Sequence, residues 1–370
     1  MLSACVEKSL KQILFYKHHA SFIFMIELDG SFEEGGGAIV RQALALSTIT
    51  GLPFTVDNIR SGRPTPGLKT QHLFCVKALQ DLCNAHVEGA ELGSTKLMFA
   101  PREIKAKNLR VEIGTAGSIT LLMQSLLIPC IFAKKPITIE IFGGTDVAWS
   151  QPIDYFKNIL LPQLKKYADI SCETKRRGYY PKGGGEVRIR IKGKFVFGDE
   201  LPSIELVDRK ELLVIKGVSH ASKELEKARV AQRQAETAKS LLKKLGVPTD
   251  MRVEYCDTLS MGSGICLWAV FGGESINFDN PVVLGGDGLG KLGKKAEVVG
   301  EDAVVSLLKE IDSDACADHY LADQLIPFLG LVGGKLKTSK ISGHVKSNIY
   351  VVEKFLGCKF KVENNFIERL

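Results

Sequence analysis

An internal repeat constrains the fold of this chain more than any other feature of its sequence. Three helix-like runs begin on glycine or a polar residue and carry a glutamine one or two turns in: Gln42, Gln124 and Gln324. Each run leads into a strand-like segment, then a second helical stripe and another strand. The pattern predicts three copies of one α/β unit in which helices pack on a sheet.

The spacing of the copies predicts a second domain inside the repeat. Gln42 and Gln124 lie 82 residues apart, whereas 200 residues separate Gln124 from Gln324. The predicted fold class is therefore α/β (α+β), with three repeated units of sheet packed on helices and a smaller inserted α/β domain. The predicted bounds are 25–196 plus 299–370 for the large domain and 197–298 for the insert. Residues 1–24 show no unit-like pattern and are predicted to be an appendage.

The inserted segment has strand and helix signals of its own. Residues 205–216 are rich in apolar residues and predict a strand. Ser222 is expected to cap a long helix over residues 223–245. Apolar runs at 251–256 and 265–271 predict two further strands. These signals predict a small α/β layer.

Composition excludes several classes of protein. The chain has 370 residues, of which 45% are hydrophobic and 25% are charged, as in ordinary globular proteins rather than disordered chains, coiled coils or collagen-like fibres. Its net charge of +7 favours a polyanionic partner mildly. Nine cysteines without CxxC spacing indicate free thiols in a reducing compartment. No apolar run reaches the roughly 18 residues of a membrane span, so we expect a cytoplasmic protein without a membrane partner.

Two glycine-rich segments resemble phosphate-binding loops to different degrees. Residues 285–293 have suitable glycine spacing, but Leu292 stands where a magnesium-binding Ser or Thr belongs, so we predict a flexible, solvated linker.

In the other segment, Glu33 and Glu34 precede three glycines at a helix start, where backbone N–H groups can face an anion. Carboxylates there would repel a phosphate unless a divalent metal lay between them. The alternative is a glycine turn with solvated acids. Arg41 follows one turn into the helix.

Two basic segments are candidate anion sites. Arg60, Arg63 and Lys69 surround a proline-stiffened loop before a helix, and the fork of arginine suits bidentate phosphate contact. A solvated basic loop is the alternative. Residues 174–185 combine four cations, two tyrosines and a glycine run, a combination that suits single-stranded nucleic acid. A charged hairpin is the alternative there.

One of the seven histidines has a distinctive position. His344 lies at a predicted helix start, where the helix N-terminus favours the neutral, nucleophilic imidazole and also accepts phosphate. A capping histidine is the alternative. His72, inside an apolar helix, is predicted to be structural, and His319 lies beside the segment 320–324. His220 flanks a strand with no chemical company in the sequence.

Several motifs occur in one order along the chain. They are Asp29-Gly30 with Glu34-Gly35-Gly36-Gly37 and Arg41, Arg60-Ser61-Gly62-Arg63 with Pro66-Gly67-Leu68 and Gln71-His72, Gly114-Thr115-Ala116-Gly117-Ser118, Gly143-Gly144-Thr145-Asp146, Tyr320-Leu321-Ala322-Asp323-Gln324, and His344-Val345-Lys346-Ser347-Asn348. From residue 25 to the C terminus, this order resembles the RNA 3'-terminal phosphate cyclase family.

The resemblance implies a fold and an activity. The large domain would consist of three units like those of EPSP synthase. The activity would be ATP-dependent conversion of an RNA 3'-terminal phosphate to a 2',3'-cyclic phosphodiester, helped by Mg²⁺ or Mn²⁺, through a covalent histidine–AMP intermediate and an RNA-adenylate. By resemblance, His344 carries AMP. The residues implied to contact ATP are Glu34, Gln124, Tyr320, Leu321, Ala322, Asp323 and Gln324. Glu34 would also lie by the metal. The residues implied to hold phosphates or the RNA end are Arg41, Arg60, Arg63 and Gln71.

Two other functions are compatible with such a fold. A cyclase-like factor of ribosome assembly shares the fold but lacks the nucleophile, so His344 favours the enzyme. An EPSP-synthase-like transferase acting on small anions would need no histidine nucleophile, and ATP consumption would separate it from a cyclase. Lys346 and Ser347 depart from the usual family pattern, but neither departure removes a chemical role.

Overall fold

The computed structural model describes residues 25–105, 107–274 and 276–370. Its strands and helices form a mixed α/β architecture, which confirms the predicted fold class at that level. The predicted appendage at 1–24 lies outside the described residues. Within the described ranges, none of the helices is long and apolar enough to cross a membrane.

The first half of the described chain contains two four-stranded sheets. The first sheet and its helices comprise β1 Ile26–Asp29, α1 Ala38–Thr50, β2 Phe54–Asp57, α2 Thr70–Cys83, β3 His86–Glu88 and β4 Leu97–Ala100. The second comprises β5 Leu109–Glu112, α3 Ile119–Ile131, β6 Ile137–Gly143, α4 Ile153–Tyr155, a π-helical turn Phe156–Leu160, α5 Leu161–Leu164, β7 Ala168–Arg176 and β8 Gly185–Gly193. Side chains on β6 alternate between buried and half-buried, as a strand with one face on the core requires.

The second half contains two further four-stranded sheets, one of them contributed by the inserted segment. The third sheet and its helices comprise β9 Ile204–Leu206, α8 His319–Val332, β14 Gly334–Lys337, α9 Gly343–Leu356, β15 Phe360–Glu363 and β16 Phe366–Arg369. The inserted sheet and its helices comprise β10 Glu211–Ser222, α6 Val230–Leu242, β11 Thr249–Cys256, β12 Ser263–Gly272, β13 Val282–Leu289 and α7 Ala296–Asp312.

Three of the sheets share one strand order. Their orders are β1-β2-β4-β3, β5-β6-β8-β7 and β9-β14-β16-β15. In each, the first two strands are parallel and the fourth strand pairs antiparallel with both the second and the third. In each sheet, a helix is the next regular element after the second of the parallel strands. The loops that leave β1 and β2 supply Glu34, Arg60 and Arg63, and the other candidate site residues lie in helices.

Strand pairing differs from the sequence-based prediction inside the insert. Residues 205–216 were predicted as one strand, but β9 and β10 are separate strands, and β9 pairs with β14 in the third sheet. The helix predicted over 223–245 is interrupted because Arg229 adopts a left-handed conformation with φ of 51°. Ser222 does not cap it; instead, its hydroxyl accepts from the N–H of Gly262.

Residues 285–289 of the glycine-rich segment belong to the mostly buried strand β13, so the prediction of a solvated linker is wrong for them, whereas Leu292 beyond the strand is fully exposed. β13 pairs along its length with β12, and α7 packs across it. A Cβ at Gly286 would lie 2.5 Å from the backbone nitrogen of Leu307. The glycines therefore allow a helix to approach the strand closely, a role that glycine spacing alone does not distinguish from phosphate binding.

Candidate active site

His344 lies at the start of α9, as the sequence predicts. The Ser342 hydroxyl accepts a hydrogen bond from the N–H of Val345 at 3.1 Å, so Ser342, not His344, caps the helix. The imidazole of His344 therefore does not cap the helix, and it is half-buried beside the first turn. One turn further on, Asn348 donates from Nδ2 to the carbonyl of Asp323 at 2.8 Å, which ties α9 to α8.

Glu34 is the direct partner of this histidine. The imidazole Nε2 lies 2.8 Å from the Oε2 atom of Glu34, and the Arg63 guanidinium lies 3.6 Å from the same oxygen. Two glycines permit this approach, because a Cβ at Gly343 would lie 2.6 Å from Cγ of Glu34, and one at Gly36 would contact both Arg63 and His344. The glycine loop after β1 and the start of α9 therefore meet as one site.

Burial controls the protonation of His344. Burial lowers the pKa of His344, and the nearby Arg41 and Arg63 lower it further, while Glu34 opposes the shift. Nδ1 is buried and has no hydrogen-bond partner. The neutral imidazole is thus favoured, and Nε2 is the nitrogen that faces the acidic loop.

Arg41 and Gln124 join two of the predicted units at this site. Arg41 is only 7% exposed, and its Nε donates to Oε1 of Gln124 at 3.0 Å. Burial lowers the pKa of Arg41. Burial also raises the pKa of Asp323 to about 8, although Arg41 works against that shift. A cationic and an acidic group therefore lie close together in a poorly solvated place.

The basic loop after β2 brings Arg60 and Arg63 toward the same region. Arg60 has a positive φ of 57°, and its Nε is buried without a hydrogen-bond partner. Burial, and then the charge of Arg63, lower the pKa of Arg60. Gly67 closes the loop by donating its N–H to the carbonyl of Ile59 at 2.7 Å. Gln71 is half-buried in the first turn of α2.

The segment 320–324 forms the first turns of α8. Tyr320 and Asp323 are half-buried, whereas Leu321 and Ala322 are fully buried in the core. Gln324 donates from Nε2 to the carbonyl of Tyr320 at 3.0 Å. Of these five residues, Tyr320 and Asp323 therefore offer the most side-chain surface to a ligand, while Leu321 and Ala322 offer only backbone.

His319 and His72 each form a hydrogen bond that explains a structural role. Burial disfavours a charge on His319, but its 2.7 Å hydrogen bond with Glu310 raises the pKa of His319 overall. His72 is 1% exposed, and its Nδ1 accepts from the N–H of Lys69 at 2.9 Å, which completes the start of α2. His72 is structural, as predicted.

A buried polar cluster around Arg177 was missed by the sequence analysis. Its guanidinium bonds to Asp154 at 2.7 Å, to Glu254 at 2.9 Å and to Asp146 at 3.2 Å. His220 contacts Asp146 at 3.2 Å, so the prediction that His220 has no chemical company is wrong. The Gly-Gly-Thr-Asp motif signals Asp146, but no sequence pattern points to partners so far along the chain.

The same cluster alters the interpretation of residues 174–185. Arg177 and Tyr179 are buried, at 3% and 2% exposed, whereas Tyr180 is 77% exposed. Half of the expected aromatic surface is therefore unavailable to a nucleic acid. Asp146, Asp154 and His220 are close enough to hold a metal ion, but the Arg177 guanidinium already bonds to both carboxylates and its positive charge would repel a cation there, so these residues do not fit a metal site.

Comparison with known proteins identifies the family. The sequence profile of the family described as RNA 3'-terminal phosphate cyclase matches residues 32–362. The chain is 46% identical to the RNA 3'-terminal phosphate cyclase of Pyrococcus furiosus, covering 93% of this chain and 97% of that protein. It is 44% identical to the protein of that name from Archaeoglobus fulgidus, covering 93% and 99%, and 42% identical to that from Methanococcoides burtonii, covering 92% and 97%. These matches confirm the resemblance seen in the motifs, and the chain belongs to the RNA 3'-terminal phosphate cyclase family of enzymes.

Proposed function

We propose that this protein converts the 3'-terminal phosphate of RNA to a 2',3'-cyclic phosphodiester at the expense of ATP. Family membership supports the overall reaction. The observation that carries the proposal is the placement of His344, half-buried at a helix start, disposed to be neutral, and 2.8 Å from Glu34. A neutral imidazole with two cationic residues nearby suits nucleophilic attack on a phosphate.

The proposed chemistry divides a difficult cyclisation into three displacements at phosphorus. A ribose 2'-hydroxyl does not readily displace oxygen from a phosphate monoester, so the monoester must first be activated. His344 attacks the α-phosphorus of ATP, forming a P–N bond as pyrophosphate leaves. An oxygen of the RNA 3'-phosphate attacks that phosphorus and breaks the P–N bond, which produces the RNA-adenylate. The 2'-hydroxyl then attacks the 3'-phosphorus, loses its proton and releases AMP.

Nε2 is the nitrogen that we assign to the attack on ATP. Nδ1 is buried without a partner, whereas Nε2 faces the partly exposed carboxylate of Glu34. In that contact Nε2 carries the hydrogen. Glu34 must therefore accept this proton, or move away, before the lone pair of Nε2 can reach phosphorus.

The residues present fit a magnesium or manganese ion at Glu34. Its carboxylate is 41% exposed and beside the nucleophile, and Mg²⁺ in such enzymes is commonly held by one or two carboxylates plus substrate phosphates. When bound there, the ion would neutralise charge on the triphosphate.

We propose that Arg41, Arg60, Arg63 and Gln71 hold the phosphates or the RNA end. Arg60 has a buried Nε with no partner, and burial lowers the pKa of Arg60 and of Arg41. An incoming phosphate would supply the missing acceptor and the counter-charge for these guanidinium groups.

ATP contacts are proposed at Gln124 and in the segment Tyr320, Leu321, Ala322, Asp323 and Gln324. The partly exposed side chains of Tyr320 and Asp323 support this placement. So does the 3.0 Å hydrogen bond that joins Gln124 to Arg41, because Arg41 is itself proposed to hold phosphates.

We further propose that the first three sheets are copies of one EPSP-synthase-like unit. Their common strand order supports this interpretation. The pairing of β9 with β14 argues that the insert separates the first strand of the third unit from its first helix. The proposed inserted domain then runs from β10 to the end of α7, rather than over 197–298. Free cysteines among the described residues support the proposed cytoplasmic location.

Two alternatives remain distinguishable from the proposed enzyme. A cyclase-like ribosome-assembly factor would lack the nucleophile, and a polar site built around His344 argues against it. An EPSP-synthase-like transferase would not consume ATP. Neither is favoured by a specific contact in the described residues.

Adenylation of the protein tests the proposal directly. The protein is incubated with α-labelled ATP and Mg²⁺ or Mn²⁺, and we expect protein-bound AMP that is acid-labile and resistant to hydroxylamine, as a phosphoramidate should be. Adding RNA with a 3'-terminal phosphate should then discharge the label and yield a 2',3'-cyclic end. RNA with a 3'-hydroxyl is the matched control and should not be cyclised. ATP-independent cyclisation, or no labelled protein, would reject the mechanism.

A further inference from the structure

Asp318 is a fully buried carboxylate at the point where α8 begins. Its Oδ1 accepts from the N–H groups of Tyr320 at 3.0 Å and Leu321 at 2.9 Å, which caps the helix. The same oxygen accepts from the Tyr155 hydroxyl at 2.6 Å, and Oδ2 accepts from the N–H of Gly285 at 2.9 Å. One side chain thus joins α8, α4 and β13.

Tyr155 is held in this place by packing as well as by its hydroxyl. It is 1% exposed, and its ring lies edge-on to that of Tyr320 with centroids 6.4 Å apart. A Cβ at Gly285 would lie 2.5 Å from Cε2 of Tyr155, so the glycine leaves room for the ring. The orientation of Tyr155 is therefore determined on both sides.

Asp154, the residue before Tyr155 in α4, links this helix to the inserted segment. Asp154 bonds to Arg177 at 2.7 Å, and Arg177 bonds to Glu254 of β11 at 2.9 Å. Two consecutive residues of α4 thus contact different partners. Asp154 is linked to the inserted sheet through Arg177, while Tyr155 bonds to Asp318 at the start of α8.

These contacts act on the first turn of α8 rather than on its body. The body of α8 is held by apolar side chains such as Leu325 and Leu329, which are fully buried. Loss of the Tyr155 hydroxyl should therefore displace the first turn without unfolding the helix.

We propose that Tyr155 and Asp318 are positioning residues for nucleotide binding. They set the start of α8, and with it Tyr320 and Asp323, relative to the second sheet and the insert. This inference rests on the proposed function, in which α8 contacts ATP. It gives the inserted segment a part in nucleotide affinity without requiring it to touch the nucleotide.

Replacement of one hydroxyl tests the inference. Tyr155→Phe keeps the ring and removes the hydrogen bond to Asp318, and we expect the KM for ATP in protein adenylation to rise about fivefold, as the loss of one hydrogen bond predicts. Transfer of AMP from the already adenylated variant to RNA should keep the wild-type rate, because that step does not require ATP binding. A purely structural role would not separate these two steps.

Tyr167→Phe is the matched control. Tyr167 is also 1% exposed, and its hydroxyl donates to the carbonyl of Pro202 at 2.8 Å, which is not part of α8. The control should lose comparable thermal stability and keep the wild-type KM for ATP. Asp318→Asn serves as a second variant that retains size while placing an amide N–H₂ against backbone donors, and it should raise the KM further.

Each outcome decides between the claims. If both tyrosine variants leave the KM for ATP unchanged, or raise it equally, the positioning role is overturned while the proposed function stands. If the wild-type protein forms no AMP adduct, the proposed function fails and this inference fails with it. A rise in KM confined to Tyr155→Phe and Asp318→Asn supports both.

Discussion

The Nε2 atom of His344 lies 2.8 Å from Oε2 of Glu34, which joins a helix near the C terminus to the glycine loop after β1. The contact is close because Gly36 and Gly343 have no side chains to separate the two elements. Burial lowers the pKa of His344, and this effect exceeds the opposing effect of Glu34. The imidazole therefore stays neutral although its partner is acidic. This arrangement suits a nucleophile.

His344→Ala should abolish both protein adenylation and RNA cyclisation without unfolding the protein, because among the described residues no other imidazole pairs with Glu34. Labelling with α-labelled ATP measures adenylation, the yield of 2',3'-cyclic RNA ends measures cyclisation, and circular dichroism checks the fold. His319→Ala is the control, since His319 is occupied by Glu310, and it should retain adenylation. The reverse result, with an adduct on the His344 variant alone, would falsify the assignment of the nucleophile.

Arg63→Ala should weaken binding of the triphosphate or the RNA end. Removing a hydrogen bond to a charged group costs about 1.5–3 kcal/mol, so we expect at least about a tenfold fall in kcat/KM with an unchanged circular dichroism spectrum. Arg110→Ala is a matched control, because Arg110 forms an exposed pair with Glu112 on β5. Equal rates for both variants at sub-saturating substrate would show that Arg63 does not contact the triphosphate or the RNA end.

His72 should make the protein more sensitive to acid. Burial lowers the pKa of His72 to about 3, so between about pH 6.5 and 3 the unfolded chain binds a proton that the folded protein excludes. The contribution of His72 to the free energy of unfolding is therefore fully present above about pH 6.5 and is lost as the pH falls. His72→Gln retains an acceptor at this helix position but cannot titrate.

Urea unfolding of the two proteins at pH 7, 6 and 5 measures the effect. The free energy of unfolding of the wild-type protein, relative to His72→Gln, should decline progressively toward pH 5. Parallel pH profiles would show that the Lys69–His72 bond does not require a neutral imidazole.

Gly286→Ala should destabilise the insert, because its Cβ would lie 2.5 Å from the Leu307 nitrogen and 2.8 Å from the Ala303 carbonyl. Forcing α7 away from β13 should cost about 1–3 kcal/mol. Gly273→Ala is the matched control, since a Cβ there has no atom within 4 Å, and it should change the free energy of unfolding by less than about 0.5 kcal/mol. A neutral Gly286→Ala would mean that helix and strand are not closely packed.

Helices of the repeated pattern could be located from the sequence alone. Their apolar spacing and end signals lie within a few turns, so α1 begins directly after the three glycines and α9 begins one residue before His344. The insert was harder, because glycines that admit a helix onto β13 resemble glycines that bind phosphate. Short-range patterns also predict one strand where β9 and β10 belong to different sheets.

The sequence by itself determined the α/β class, the family and the residue types at the candidate site, since periodicity, helix capping and ordered motifs are local properties of the chain. Only the tertiary structure decided that Arg177 pairs with both Asp146 and Asp154 and that Tyr155 donates to Asp318. A polar residue has the same sequence pattern whether it is solvated or buried. The partner that makes its burial tolerable comes from a distant segment, and packing of the sheets and helices brings the two together.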